Sequence, residues 1–224
     1  MKMGFKKAPN SAEYWNAQAK NFNAVYHEDG RVKGLLNKLL RSDMEGRYFF
    51  ALSGAPLDSH SNIFDVLEIG CGTGVHTKGF LDAGAASVTG IDFSAEMLKI
   101  AAERLKNYEG RVNLIEDDFM TADFADRSFD VATALGVFDY VAEPLAFMKK
   151  AIGLTKERSG RFIASFPRSG TPRSFIRSVR LSLKRCPVYF YSEEQLRSMA
   201  DQCGAKIERH EIIGQLHCVI FSRL

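Results

Sequence analysis

The sequence predicts a doubly wound α/β fold: a mostly parallel, seven-stranded sheet closed by a C-terminal antiparallel hairpin, with N-terminal helices in front and a helical cap inserted late in the chain. Three observations predict it. From about residue 63 short β-branched runs alternate with helical stretches, the order that gives a parallel sheet covered on both faces. A glycine-rich turn, 70–74, follows the first run. The last two runs are separated only by Gly214-Gln215, and so tight a connection joins antiparallel neighbours.

Each element has its own signal. Residues 11–26 carry Tyr14, Trp15, Phe22 and Tyr26, and residues 31–50 repeat apolar positions at Val32, Leu35, Leu36, Leu39 and Leu40, which reads as two helices packed on or over the core. Residues 63–69 read as a buried strand ending in glycines, and 73–84 as a helix stopped by Gly84. After the strand at 86–92, Ser94 looks like the N-cap of a helix whose Met97, Ile100, Ala101 and Leu105 form an apolar stripe. Residues 112–117, 129–138 and 160–167 are three more strands, with a helix near 142–153 between the last two. A helix starting near Ser192 precedes the closing strands at 205–213 and 216–224.

Composition narrows the class. A chain of 224 residues, 46% hydrophobic and 25% charged, suits one globular domain with a full core. The net charge of +3, from 30 basic against 27 acidic side chains, is too near balance for the whole surface to bind a polyanion. No apolar run reaches the roughly 18 residues of a membrane span, and the opening lysines have no apolar stretch behind them, so the expected address is the cytoplasm. Cys71, Cys186, Cys203 and Cys218 form no C-x-x-C pair, which predicts reduced thiols and no metal. The five histidines show no paired spacing and read as surface or satisfied core residues.

The chemistry gathers at the strand ends. Gly70, Gly72 and Gly74 let the backbone turn sharply and approach a ligand closely. Val75 stands where a dinucleotide fingerprint would place its third glycine, and the Glu68 carboxylate would repel a pyrophosphate, so the turn suits a cationic or zwitterionic ligand. Asp92, at the end of the second strand, is placed to take both hydroxyls of a ribose. Asp118 and Phe119, after the third, suit an adenine amino group and ring.

Val66 to Gly74, Val88 to Ser94, Asp118-Phe119 and Ser128 to Val131 together resemble the class I S-adenosylmethionine-dependent methyltransferases, in particular their small-molecule, ubiquinone/menaquinone-biosynthesis-like branch. The resemblance covers about residues 60 to 224 and implies a Rossmann-like core at 61–224 with a helical lid at 1–60. It implies S-adenosyl-L-methionine as cofactor, without a metal. Glu68, Gly70, Gly72 and Gly74 would lie against its methionine part, Asp92 at the ribose and Asp118 and Phe119 at the adenine, with Cys71, Phe93 and Met97 also binding the cofactor. Gly136 would lie near the methionine portion and the substrate entrance, and Tyr14 and Trp15 would belong to the lid. Many relatives carry a histidine after the fourth strand where this chain reads Phe138-Asp139-Tyr140, so proton abstraction by histidine does not carry over. Asp139 and Tyr140 are the catalytic candidates instead.

Residues 168–191 are longer than a simple connection and basic, with Arg173, Arg177, Arg180 and Lys184 at intervals of four, three and four residues. They predict a cap helix with a cationic face that binds an anionic acceptor, and Tyr189 and Tyr191 would wall its pocket. The expected activity is methyl transfer to oxygen or nitrogen of a small, anionic metabolite, as monomer or homodimer. Three alternatives remain open: an RNA methyltransferase tracking phosphates with the arginine face, a non-catalytic S-adenosylmethionine-binding protein, and an NAD oxidoreductase.

Overall fold

The computed structural model describes residues 12–27, 34–56, 63–125, 127–171 and 188–224, without the side chains of 20–42. The Arg173, Arg177 and Arg180 face therefore lies outside the described residues, as do Lys184 and Cys186 and the side chains of Phe22, Tyr26, Leu35, Leu36, Leu39 and Leu40.

Two helices, α1 (Ala12–His27) and α2 (Gly34–Ser53), precede the sheet. Then come β1 (Asp65–Ile69), α3 (Val75–Asp82), β2 (Ser87–Asp92), α4 (Ala95–Leu105), β3 (Val112–Glu116), β4 (Val131–Leu135), α5 (Pro144–Gly153), β5 (Arg161–Pro167), α6 (Glu193–Gln202), β6 (Ala205–Ile213) and β7 (Leu216–Arg223). The strand order is β3-β2-β1-β4-β5-β7-β6, with β1 to β5 parallel and β7 antiparallel to both neighbours. This is the Rossmann-like sheet the sequence predicts. The order reverses between β1 and β4, where helices diverge to opposite faces and leave a crevice at the strand ends.

Local sequence explains most boundaries. β1 and β4 are buried on both faces, as an interior parallel strand requires. The Ser94 hydroxyl accepts from Met97 N and starts α4; Ser192 and Gln195 form a reciprocal capping box on α6; Pro144 opens α5. Leu67, Phe138, Phe162, Phe166 and Phe221 build the core under α5 and α6. Val66, Phe80, Val88, Ile163 and Ile220 build the one under α2, α3 and α4. The fourth strand, expected over 129–138, is shorter at both ends. β4 stops at Leu135 because Gly136, at φ +79°, turns the chain while its N–H goes to Ser165 Oγ at 2.9 Å. Phe129 keeps only an isolated bridge to Thr155.

The front helices are tied to the sheet's working edge. Asn16 of α1 accepts from Ser94 Oγ (2.7 Å) and Glu96 N (3.2 Å), so α1 docks on the start of α4. α2 runs from the β6–β7 turn, where Asp43 accepts from Gln215 N, to α3, where Tyr48 lies over Gly79. Among the described residues no helix is long and apolar enough to cross a membrane.

Candidate active site

A cavity of about 1140 Å³ opens at the switch point between β1 and β4. One end is built from backbone. Gly70 and Cys71 donate N–H groups to Ile91 O (2.8 and 3.1 Å), which folds the glycine turn over the end of β2. Gly70 needs its left-handed conformation (φ +70°), and a Cβ there would meet Val137 Cγ2 at 2.6 Å, so only glycine keeps this floor open. Arg104 of α4 braces the turn from outside by donating to Thr73 O and Oγ1.

Asp92 sits at the centre of this end. Its carboxylate accepts from Gly72 N (2.8 Å) and Ser94 N (2.9 Å). Burial pushes its pKa above the usual aspartate value, against the pull of those two N–H groups and with a smaller push from Glu68. A carboxylate oxygen has capacity for more than one donor, so Asp92 can take hydroxyls while holding the loop. Phe93 and Met97 follow it into the wall. Beyond β3, Asp118 folds into a turn by accepting from Met120 N (2.8 Å), and the Phe119 ring lies tilted against Phe147 with ring centroids 4.7 Å apart. Lys150 pins this loop through Met120 O and Ala122 O. Gly70, Gly72, Cys71, Asp92, Phe93, Met97, Asp118 and Phe119 thus line one continuous surface. Its cradle, ribose-ready carboxylate and flat apolar wall fit an adenosyl cofactor.

The other end is built from side chains after β4. Val137 O accepts from Tyr140 N (3.0 Å), closing a turn, and the chain past the basic segment pins it: Tyr189 N donates to Asp139 O (3.0 Å) and the Tyr191 hydroxyl to Phe138 O (3.2 Å). Asp139 is only 7% exposed yet lines the cavity, beside Gly136 and Tyr140. Trp15 of α1 meets Tyr140 edge to face at 5.4 Å and lines the cavity too, while Tyr14 backs Trp15 at 5.4 Å.

Several expected residues sit elsewhere. Glu68, 1% exposed, does not line the cavity; it takes the Thr77 hydroxyl and lies 3.4 Å from His76 Nδ1. Gly74 also stands back, and a Cβ on it would press on Ala101 and Leu105 of α4, so it serves helix packing. Tyr189 and Tyr191 pack into the core, with burial raising the Tyr191 hydroxyl's pKa, whereas Phe190 between them lines the cavity. In an extended stretch neighbours face opposite ways, and the walling side chain is the one of other parity.

The cavity also contains Arg47 and His76, which no motif announced, and Arg168, the first cation of the basic 168–191 run. Arg47 of α2 reaches over Gly136, whose added Cβ would lie 2.5 Å from Nη1. Arg168, just past β5, lines the same end. His76 lines it as well, with a buried Nε2 that has no hydrogen-bond partner among the described residues. His210 and His217, unpaired in sequence, meet at 2.9 Å because the hairpin register brings them together.

Known proteins resemble this chain along the same span. A family model for a methyltransferase domain matches residues 66–158. Ubiquinone biosynthesis O-methyltransferase of Nitrosospira multiformis is 26% identical over 170 residues, covering 70% of this chain and 69% of that protein. The enzyme of that name from Xanthomonas euvesicatoria is 29% identical over 175 residues, covering 73% and 70%. Among solved structures, magnesium protoporphyrin IX methyltransferase of Synechocystis PCC 6803, with bound S-adenosylhomocysteine, superposes with a TM-score of 0.78 at 19% identity, over 95% of this chain and 98% of that one.

Proposed function

From the premise that this chain is a class I S-adenosylmethionine-dependent methyltransferase, we propose that it methylates an oxygen or nitrogen of a small, anionic metabolite and releases S-adenosylhomocysteine. The observation that carries the reading is the single cavity that joins the Asp92 end to the Asp139–Tyr140 end.

S-adenosylmethionine supplies an electrophilic methyl on a sulfonium and a thioether leaving group. Asp92 would hold the ribose hydroxyls, Asp118 and Phe119 the adenine, and the glycine turn the start of the amino-acid tail. Arg47, lying over Gly136 at the methionine side, would take the tail's carboxylate with the paired donors of its guanidinium. Such anchoring leaves the protein mainly a positioning task, since placing the acceptor in line behind the methyl supplies about 7–11 kcal/mol of the barrier. The acceptor's lone pair forms the new bond as the carbon–sulfur bond breaks and its electrons pass to sulfur. Asp139 would take the acceptor's proton, Tyr140 would orient the acceptor, and Trp15 above Tyr140 would exclude water. Arg168 at that end, and the basic run continuing through Arg173, Arg177 and Arg180, support an anionic acceptor. Residues 1–60 would act as the lid and 168–191 as the acceptor's cap.

The experiment is methyl transfer from radiolabelled cofactor to a panel of small phenols and amines, each as carboxylate and as uncharged amide, with bulk tRNA and rRNA as a further arm. Transfer to carboxylates in preference to amides is expected. Transfer only to RNA, or equal use of both members of each pair, would overturn the anionic small-molecule reading.

A further inference from the structure

We propose that Asn16 is a positioning residue of the methyl-transfer site: its side-chain oxygen latches α1 to the start of α4, just past the Asp92 carboxylate, and so holds Trp15 across the cavity. The inference rests on the lid and cofactor readings above and names the contact through which the lid senses the cofactor.

Successive residues of a helix point about 100° apart, so Trp15 and Asn16 meet different partners. Trp15 lines the cavity and meets Tyr140 edge to face at 5.4 Å, while Asn16, half-buried, turns to α4. Asn16 Oδ1 accepts from the Ser94 hydroxyl at 2.7 Å and from Glu96 N at 3.2 Å. The Glu96 N–H belongs to the first turn of α4, where no carbonyl of the same helix can take it, so α1 supplies part of the α4 cap. Ala19, three residues on and therefore on the Asn16 face of α1, is buried, as a docked helix face requires.

Ser94 joins this latch to the ribose end. Fully buried, it donates its N–H to Asp92 Oδ1 (2.9 Å), and its hydroxyl accepts from Met97 N (3.2 Å) while donating to Asn16. Asp92 in turn accepts from Gly72 N (2.8 Å). A run of hydrogen bonds therefore leads from the glycine turn through Asp92 and Ser94 to α1. A ribose on Asp92 steadies the same residues on which α1 docks, and the docked α1 covers the cavity through Trp15. Each event favours the other, and by the same factor. Hydrogen bonds of this kind shift an equilibrium by about two- to tenfold each, and the pair at Asn16 acts together.

Trp15 is the one tryptophan of the chain, so its fluorescence reports on α1 directly. The test measures acrylamide quenching of Trp15, with and without saturating S-adenosylhomocysteine, in the unaltered protein and in Asn16→Ala. Calorimetry gives the dissociation constant of each form, and a thermal scan without ligand gives its melting temperature. In the unaltered protein the ligand should shield Trp15, lowering its quenching constant by about twofold or more. In Asn16→Ala that shielding should disappear and S-adenosylhomocysteine should bind at least about fivefold more weakly. The melting temperature should stay within about 3 °C, because Ser94 still caps α4. Shielding or affinity preserved in Asn16→Ala, or a larger fall in melting temperature, which would make Asn16 a merely structural residue, overturns the latch. Binding to the unaltered protein without shielding of Trp15 overturns the lid reading instead, and no binding at all overturns the cofactor reading; the latch falls with either.

Discussion

The two ends of the cavity are held by different means. At the Asp92 end the geometry is mainly backbone geometry: Gly70, Cys71 and Gly72 donate main-chain N–H groups to Ile91 and Asp92 of β2. At the Asp139 end the positions depend on contacts from far along the chain, Trp15 from α1, Arg47 from α2 and the 189–191 segment from beyond the basic insert. The first end is fixed by the core and suits a constant ligand. The second is assembled from separately borne pieces and suits a variable one, as expected where a shared scaffold carries differing acceptors.

Substitutions should separate the two ends. The largest effect is expected at Asp139→Asn, which keeps size and removes the proposed base: turnover on an accepted substrate should fall by about 10²–10⁴-fold while the dissociation constant for S-adenosylhomocysteine stays put. A parallel loss of cofactor affinity would erase the division. Asp92→Ala should do the reverse, weakening S-adenosylhomocysteine in calorimetry by about tenfold or more, because charge-assisted hydrogen bonds of about 1.5–3 kcal/mol are removed; undiminished affinity would refute the ribose assignment.

A pH titration sharpens the same point. Because burial raises the Asp92 pKa, the free protein holds that proton more readily than an unfolded chain does. The residue therefore favours the folded state in acid, and that contribution fades as pH rises through its folded pKa. Ligand hydroxyls need the carboxylate, so cofactor affinity should decline on acidification at a pH above the ordinary aspartate range, and Asp92→Asn should bind more weakly but without that decline. Trp15→Ala should give the smallest change, about two- to tenfold in acceptor KM, since an edge-to-face aromatic pair contributes about 0.5–1.5 kcal/mol beyond its burial.

The sheet was legible in the sequence because its signals are local. Strand runs, the N-cap Ser94, the helix start near Ser192 and the two-residue hairpin connection each depend on neighbours a few positions away. Strand ends were less legible: Gly136 halts β4 while apolar sequence continues to Phe138, which turns into the core instead. Parity misled at the tyrosines, where Phe190 takes the wall and its neighbours take the core.

By itself, then, the sequence determined the alternation of strands and helices, the glycine turn and the acid at the end of β2, since backbone freedom and a strand's last residue are properties of short segments. Only the tertiary structure decided that Glu68 turns inward to His76, that Arg47 crosses Gly136, and that His210 meets His217. The first two placements arise when helices pack onto the sheet and the third from the register of its closing hairpin, and neither composition nor motif spacing encodes which side chains these bring within a few ångströms.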